Sequence, residues 1–231
     1  MSKNIDQLIS AIPIWQNKII ISKIDGGITN QNFLVEDGIN KFFVRVGKDI
    51  PEHLVYRSNE IISSKVASSL QISPKIIFNN NELQVIDFVK GSTLKDTDIK
   101  ENLNSIISLI KKVHYDMPKN LYGQSIIFWV FHVIRHYSKF LEENNSKYIS
   151  MLAELLKKSD LIEKNSSPFQ IVFAHNDLLP ANFIKDNEKI WLIDWEYAGY
   201  NTPLFDLGGL SSNNNFNEKE DIILLENYVK N

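Results

Sequence analysis

The sequence predicts an α+β protein in two parts: a small antiparallel sheet with one helix over residues 1–88, and a mainly helical region over residues 89–231. Three observations carry this. Short β-branched and aromatic runs separated by glycine turns fill the stretch up to Val46, the pattern of hairpins. Apolar residues recur at helical spacing through much of Ile99–Lys158. Two short apolar runs, Ile171–Ala174 and Ile190–Ile193, then each lead into a polar cluster. With 231 residues, 43 % of them hydrophobic, the chain is long enough for two modest domains or one large one and can supply a core.

The elements follow in order. Lys18–Lys23 (KIIISK) reads as the first strand. Asp25–Asn30 (DGGITN) is a turn, because paired glycines reach backbone angles that other residues avoid. Gln31–Val35 resumes an extended pattern, Asp37-Gly38 turns the chain again, and Asn40–Val46 (NKFFVRV) is the third strand. Pro51 opens a helix, where its missing N–H is not needed. Leu54, Val55, Ile61, Ile62, Val66 and Leu70 form the apolar face of that helix. Beyond Pro74, Ile76–Phe78 and Leu83–Ile86 give two strands around an Asn79–Asn81 turn. Phe88–Ser92 (FVKGS) is a connector, and the domain boundary falls there. Helices are then expected over Ile99–His114, Ser125–Glu142, Tyr148–Lys158 and Glu218–Val229, with Asn213–Asn215 as a polar linker.

Composition excludes several functions. Without cysteine there is no disulfide scaffold, thiolate metal site or cysteine nucleophile. Lys and Arg number 25 against 28 Asp and Glu, a net charge of −3 that offers nucleic acid no basic surface. No apolar run is long enough to span a membrane. Met1–Asp6 is polar and lacks a secretion signal, so the expected compartment is the cytoplasm. Of the basic residues only Arg45, Arg57 and Arg135 are arginine, the side chain whose rigid fork suits oxyanions.

The densest polar constellation is Val172–Ile184 (VFAHNDLLPANFI), which sets His175, Asn176, Asp177 and Asn182 between apolar segments. A loop held by rigid elements can place Asp177 as a base and Asn182 as a neutral oxygen ligand. In Lys189–Gly199 (KIWLIDWEYAG), Asp194 emerges from a buried-looking strand. Asp194 and Asn182 together offer the oxygen donors that Mg²⁺ prefers. Either aspartate alone also fits a turn cap; the two at the ends of one short segment point to chemistry.

His175–Asn182 (HNDLLPAN) matches the H-x-D-x-x-x-x-N catalytic loop of the choline kinase and aminoglycoside phosphotransferase superfamily, and Ile193–Glu196 (IDWE) resembles its metal-binding motif. From about Ile19 to Leu210 the chain resembles these bilobal, protein-kinase-like enzymes. DWEYAGYNTPLFDLG is most similar to choline and ethanolamine kinases, the bacterial choline kinases included. The resemblance implies a nucleotide-binding lobe over 1–88, a catalytic and substrate-binding lobe over 89–231, and the cofactors ATP and Mg²⁺. Asp177 corresponds to the catalytic base, and Asn182 and Asp194 to the metal ligands. His175 supports the loop, where a buried structural histidine is also the ordinary reading. Phosphoryl transfer asks mainly for positioning and charge neutralisation, which this set supplies.

Further correspondences follow. Gly26, Gly27, Thr29 and Asn30 resemble the phosphate-covering turn, although two glycines also fit a plain hairpin. Arg45 matches the basic residue on the ATP phosphates and Glu60 the acid that fixes it, because a charge in so apolar a strand needs a partner. Asp87 and Val89 resemble the hinge that meets adenine through backbone groups. Asp206 corresponds to an architectural acid beneath the catalytic loop. Glu196 and Tyr197 match the substrate pocket, where an aromatic face and a carboxylate hold a quaternary ammonium; Trp195 fits ordinary core packing at least as well. The implied reaction is phosphorylation of choline. Ethanolamine, another amino alcohol or an aminoglycoside are the alternative substrates, and an impaired nucleotide-binding or interaction protein is the alternative of another class. The chain is expected to be short at its C-terminus, so that Tyr197 alone cannot enclose the cation. A homodimer partner or a further segment then completes the pocket.

Overall fold

The computed structural model describes residues 5–24, 30–166 and 170–230. After α1 (Ile5–Ser10), strands β1 (Ile19–Ile24), β2 (Gln31–Asp37) and β3 (Asn40–Val46) form an antiparallel meander, followed by α2 (Arg57–Ser69), β4 (Ile76–Asn79) and β5 (Leu83–Asp87). The five strands make one antiparallel sheet in the order β1-β2-β3-β5-β4. Strand alternation drives Phe33, Val35, Val44, Leu83 and Val85 to one face, where they pack with Ile9 and Ile12. That same alternation sends Arg45, opposite Gln84, to the other face, toward the second half of the molecule.

The second half opens with β6 (Ser92–Thr93), α3 (Asp96–Glu101), α4 (Leu103–Tyr115), α5 (Met117–Asn120), α6 (Val130–Glu143) and α7 (Ile149–Asn165). It closes with β7 (Val172–Ala174), β8 (Phe183–Lys185), β9 (Ile190–Leu192), β10 (Gly199–Asn201), α8 (Pro203–Asn213) and α9 (Glu218–Val229). Here β6-β8-β9 and β10-β7 are two small antiparallel sheets. They pack on the second core, built on Ile106, Ile110, Val113, Phe173, Leu192 and Leu210. An antiparallel sheet followed by a helical region is the α+β arrangement the sequence predicts, and no described helix is long and apolar enough to cross a membrane.

Three expected elements differ. The helix expected from Pro51 is only a 3-10 turn, Pro51–His53. Leu54 takes a left-handed backbone there, Val55 pairs with Ile50, and α2 starts at Arg57, whose N–H donates to Asp49. The buried face of α2 is also not the apolar one: Arg57, Asn59, Glu60, Ser63, Ser64 and Ala67 point inward. Ile99–His114 is split at Asn102, whose Nδ2 donates to the Asp98 carbonyl at the end of α3. The 125–129 stretch is not helical, because Ile126 and Phe128 hydrogen-bond both sides of Tyr200. Gly199 permits this approach: a Cβ there would sit 2.8 Å from the Ile126 carbonyl oxygen. Asn213–Asn215 does join α8 to α9, with Asn213 and Asn215 exposed and Asn214 buried between them, donating to the Leu210 carbonyl.

Candidate active site

The candidate site is built on two loops that leave short strands. β7 ends at Ala174, and the chain continues as His175, Asn176 and Asp177. Asp206, on the first turn of α8, fixes this stretch from below. Its carboxylate accepts the backbone N–H of His175 at 2.9 Å and of Asn176 at 2.7 Å, and lies 3.0 Å from His114 Nε2. Burial pushes the Asp206 carboxyl up, but the His114 contact and the loop N–H groups outweigh it and hold it below the usual range. His175 Nε2 donates to the Ile193 carbonyl at 3.0 Å, tying the first loop to the second. Its ring meets Trp195 edge-on at 4.8 Å. Trp195 itself is core: it is buried, and its Nε1 donates to Ser73.

Asn176 adopts φ 66°, a left-handed conformation that asparagine tolerates better than most residues. Its side chain donates to the Tyr197 carbonyl at 2.9 Å and accepts from Asn201. Asp177 follows. Asn182, in the 3-10 turn Pro180–Asn182, turns its Nδ2 back to the Asp177 carbonyl and to Asp177 Oδ2, both at 2.9 Å. The amide thus orients one carboxylate oxygen of Asp177. Burial pushes Asp177 up, with Asp194 and Asp206 adding to it; His175 and Asn182 pull the other way, and the net direction is up.

Asp194 leaves β9 with φ 70°. A left-handed non-glycine residue costs on the order of 1–3 kcal/mol and persists where its surroundings hold it. Arg45 Nη1 lies 2.6 Å from Asp194 Oδ1 and 2.7 Å from Glu60 Oε1, so one guanidinium nitrogen joins β3, α2 and the second half. Burial raises the Asp194 carboxyl, but Arg45 outweighs it and holds the group low. The predicted Arg45–Glu60 pair is therefore present, and Asp194 is added to it.

Above this cluster is a cleft lined by Phe43, Ile76, Ile86, Asp87, Phe88, Val89, Ile184 and Ile193, with Arg45, Glu60 and Asp194 also on its wall. The predicted hinge residues Asp87 and Val89 both line it. Gly26, Gly27 and Thr29 lie outside the described residues. Asn30 is described, and its Nδ2 donates to Glu196 Oε2 at 3.1 Å. Glu196 is buried, 3.6 Å from Arg57 Nη1. Tyr197 is not alone: its ring lies 6.0 Å from Phe128. Tyr137, from α6, is in electrostatic reach of both Tyr197 and Glu196, and burial and Glu196 raise both phenols.

The donor set suits Mg²⁺, a hard cation bound through one or two carboxylates plus phosphate oxygens. Asn182 and Asp194 offer only oxygen once the Asn182 Nδ2 is spent on Asp177, and Asp194 already receives a cationic group from Arg45. Among the described residues no three His, Cys, Asp or Glu side chains converge as a metal cage. Four residues were given no role by the sequence reading. Asn176 carried the signal of a second asparagine within the 175–182 loop. Arg57 sits three residues before Glu60 on a helix. Phe128 and Tyr137 carried no local signal, because only the fold brings them to Tyr197.

The choline/ethanolamine kinase family model matches residues 21–221. Protein LicA of Haemophilus influenzae is 27 % identical over 220 residues, covering 93 % of this chain and 64 % of that protein. A probable ethanolamine kinase of Arabidopsis thaliana is 29 % identical over 219 residues, covering 86 % of this chain and 56 % of its own length. The chain thus spans between about half and two thirds of the length of these relatives. The crystal structure of choline kinase LicA from Streptococcus pneumoniae shares the fold, with a TM-score of 0.79 at 24 % identity over 98 % of this chain and 79 % of that chain. With the family model matched across most of its length, this chain belongs to the choline/ethanolamine kinase family.

Proposed function

We propose that the chain is an ATP- and magnesium-dependent phosphotransferase that moves a γ-phosphoryl group to the hydroxyl of an amino alcohol, choline in the first place. The observation that carries this reading is the pairing of Asp177 with Asn182 beside Asp194 and Arg45. That cluster combines a carboxylate suited to act as a base, oxygen atoms suited to a metal and a guanidinium suited to phosphate oxygens.

Adenine would lie in the apolar cleft against the backbone of Asp87 and Val89. Arg45 offers its guanidinium to the phosphates while Glu60 holds the fork in place. Asn182 and Asp194 would hold Mg²⁺, which supplies neutralisation of charge on the phosphate oxygens. Asp177 accepts the proton of the substrate hydroxyl, and burial favours that uptake by raising its proton affinity. Asn182 keeps the accepting carboxylate in a single orientation.

Choline is favoured over ethanolamine by the company of Tyr197. A trimethylammonium group has no N–H to donate and binds best to aromatic faces. Tyr197 would supply such a face, with Phe128 packed against its ring and Glu196 as the nearby anion. The test is a panel of choline, ethanolamine and an aminoglycoside with ATP and Mg²⁺, read as phosphorylated product by ³¹P NMR. Phosphocholine as the main product is expected. Phosphoethanolamine as the main product would move the substrate assignment, and ATP-independent inertness toward every alcohol would overturn the reaction.

A further inference from the structure

Arg57 has no part in the reaction as described, yet it stands at a junction of the site. Its backbone N–H donates to Asp49 Oδ1 at 2.7 Å and its Nε to the Lys48 carbonyl at 2.9 Å. The side chain is therefore anchored before its tip reaches the cluster. There Nη1 lies 2.5 Å from Glu60 Oε2 and 3.6 Å from Glu196 Oε2. From this point two arms diverge. One runs through Glu60 to Arg45 and on to Asp194. The other runs through Glu196, two residues beyond Asp194, to Asn30, which immediately precedes β2.

The physics makes this junction hard to replace. The side chains of Arg57, Glu60 and Glu196 are at most 8 % exposed, so each charge depends on its partners. Arg57 Nη2 is buried without a hydrogen-bond partner, a cost the residue bears to keep Nη1 between the two carboxylates. Two guanidiniums facing Glu60, Glu196 and Asp194 leave one net negative charge, which suits the arrival of a divalent cation. A lysine ammonium is a point charge on a flexible stem; it can neutralise one carboxylate but cannot reproduce the anchored fork.

We propose that Arg57 is a positioning residue that locks Glu60, and through it Arg45, in register with the Asp194–Glu196 segment, so that the metal-bearing triphosphate meets a preassembled site. This rests on the phosphotransferase reading above. Its signature is selectivity: loss of the fork weakens binding of the metal–nucleotide complex and spares the adenine cleft, which Arg57 does not line.

The test is calorimetric titration of a non-hydrolysable ATP analogue, with Mg²⁺ and with EDTA, into the parent chain, Arg57→Lys, Glu196→Gln and the double variant, each shown folded by thermal unfolding. Arg57→Lys is expected to weaken magnesium-dependent binding roughly tenfold and metal-free binding less than about twofold. Glu196→Gln should give a loss of the same selective kind but no larger, because it cuts only one of the two arms that Arg57 joins, and the double variant should lose no more than Arg57→Lys alone. Should Arg57→Lys fail to fold, Glu196→Gln still decides. Equal losses with and without metal, parent-like binding, or additive losses in the double variant would overturn the inference alone. A parent chain that binds no nucleotide would overturn the phosphotransferase reading beneath it.

Discussion

Asp206→Asn is the substitution whose cost can be worked most directly from the structure. The Asp206 carboxylate receives three donors: Asn176 N–H on Oδ1, and His175 N–H with His114 Nε2 on Oδ2. An amide has one oxygen. Placed toward Oδ2, it leaves its NH₂ facing the Asn176 N–H; placed toward Oδ1, it faces the His175 N–H. Either rotamer leaves one buried backbone donor of the 175–176 segment without an acceptor and weakens the remaining charge-assisted bonds. A hydrogen bond to a charged group contributes about 1.5–3 kcal/mol, and a neutral one about 1. The expected loss is about 3 kcal/mol. For a chain of this size that lowers Tm by roughly 6–12 °C. The pH dependence has a definite sign. The folded-state carboxyl of Asp206 is held low by His114 and the loop N–H groups against the upward push of burial. Its stabilisation is complete above the unfolded carboxylate pKa of about 4 and is lost as pH falls through the lower folded value, so the gap between parent and variant should narrow below about pH 4. Thermal unfolding at neutral and acid pH measures this. A variant within about 2 °C of the parent at neutral pH would refute the three-donor account.

Asp194→Ala should remove at least on the order of 10² of the turnover at every magnesium concentration, since it takes away a metal ligand and a partner of Arg45; a parent-like magnesium titration would contradict the role. Arg45→Ala should raise the ATP KM on the order of 10- to 100-fold, and Glu60→Gln by less, because Glu60 acts only by holding the fork. Normal ATP profiles in both would mean that the ion pair does not face the phosphates. Gly91→Ala should destabilise by about 1–3 kcal/mol, because a Cβ there would lie 2.4 Å from the Lys185 carbonyl, and backbone cannot yield as a flexible side chain can; an unchanged urea midpoint would show that the connector is looser than it looks.

What the sequence could reveal depended on whether a signal was local. β3 and α9 match their predicted ranges because alternation, a turn and a capping residue all lie within a few positions of each other. Asp177, Asn182 and Asp194 stood out as candidates because their polar clusters are concentrated in two short segments, and the fold brings those segments side by side. α2 was misread where periodicity was trusted: its inward face is polar because it lies against Arg45 and the Asp194 segment, and the ion pairs of Arg57 and Glu60 compensate their burial. β10 and the 126–128 stretch were missed because each is extended only through pairing with a distant partner. The company of Tyr197 is invisible for the same reason: Phe128 and Tyr137 are separated from it by more than fifty residues of chain. Arg57 was noticed as one of three arginines, but its function depends on Glu196, which only the folded chain brings to it.

The account's central claim is that Asp177 takes the proton of a small alcohol while the nucleotide is held elsewhere. The direct measurement is ³¹P NMR of choline incubated with ATP and Mg²⁺, for the parent and for Asp177→Asn, alongside calorimetric nucleotide binding to both. The account predicts phosphocholine from the parent, a loss of turnover on the order of 10²–10⁴ in the variant, and nucleotide affinity within a few-fold of the parent. Phosphocholine formation by Asp177→Asn at the parent's rate would contradict it.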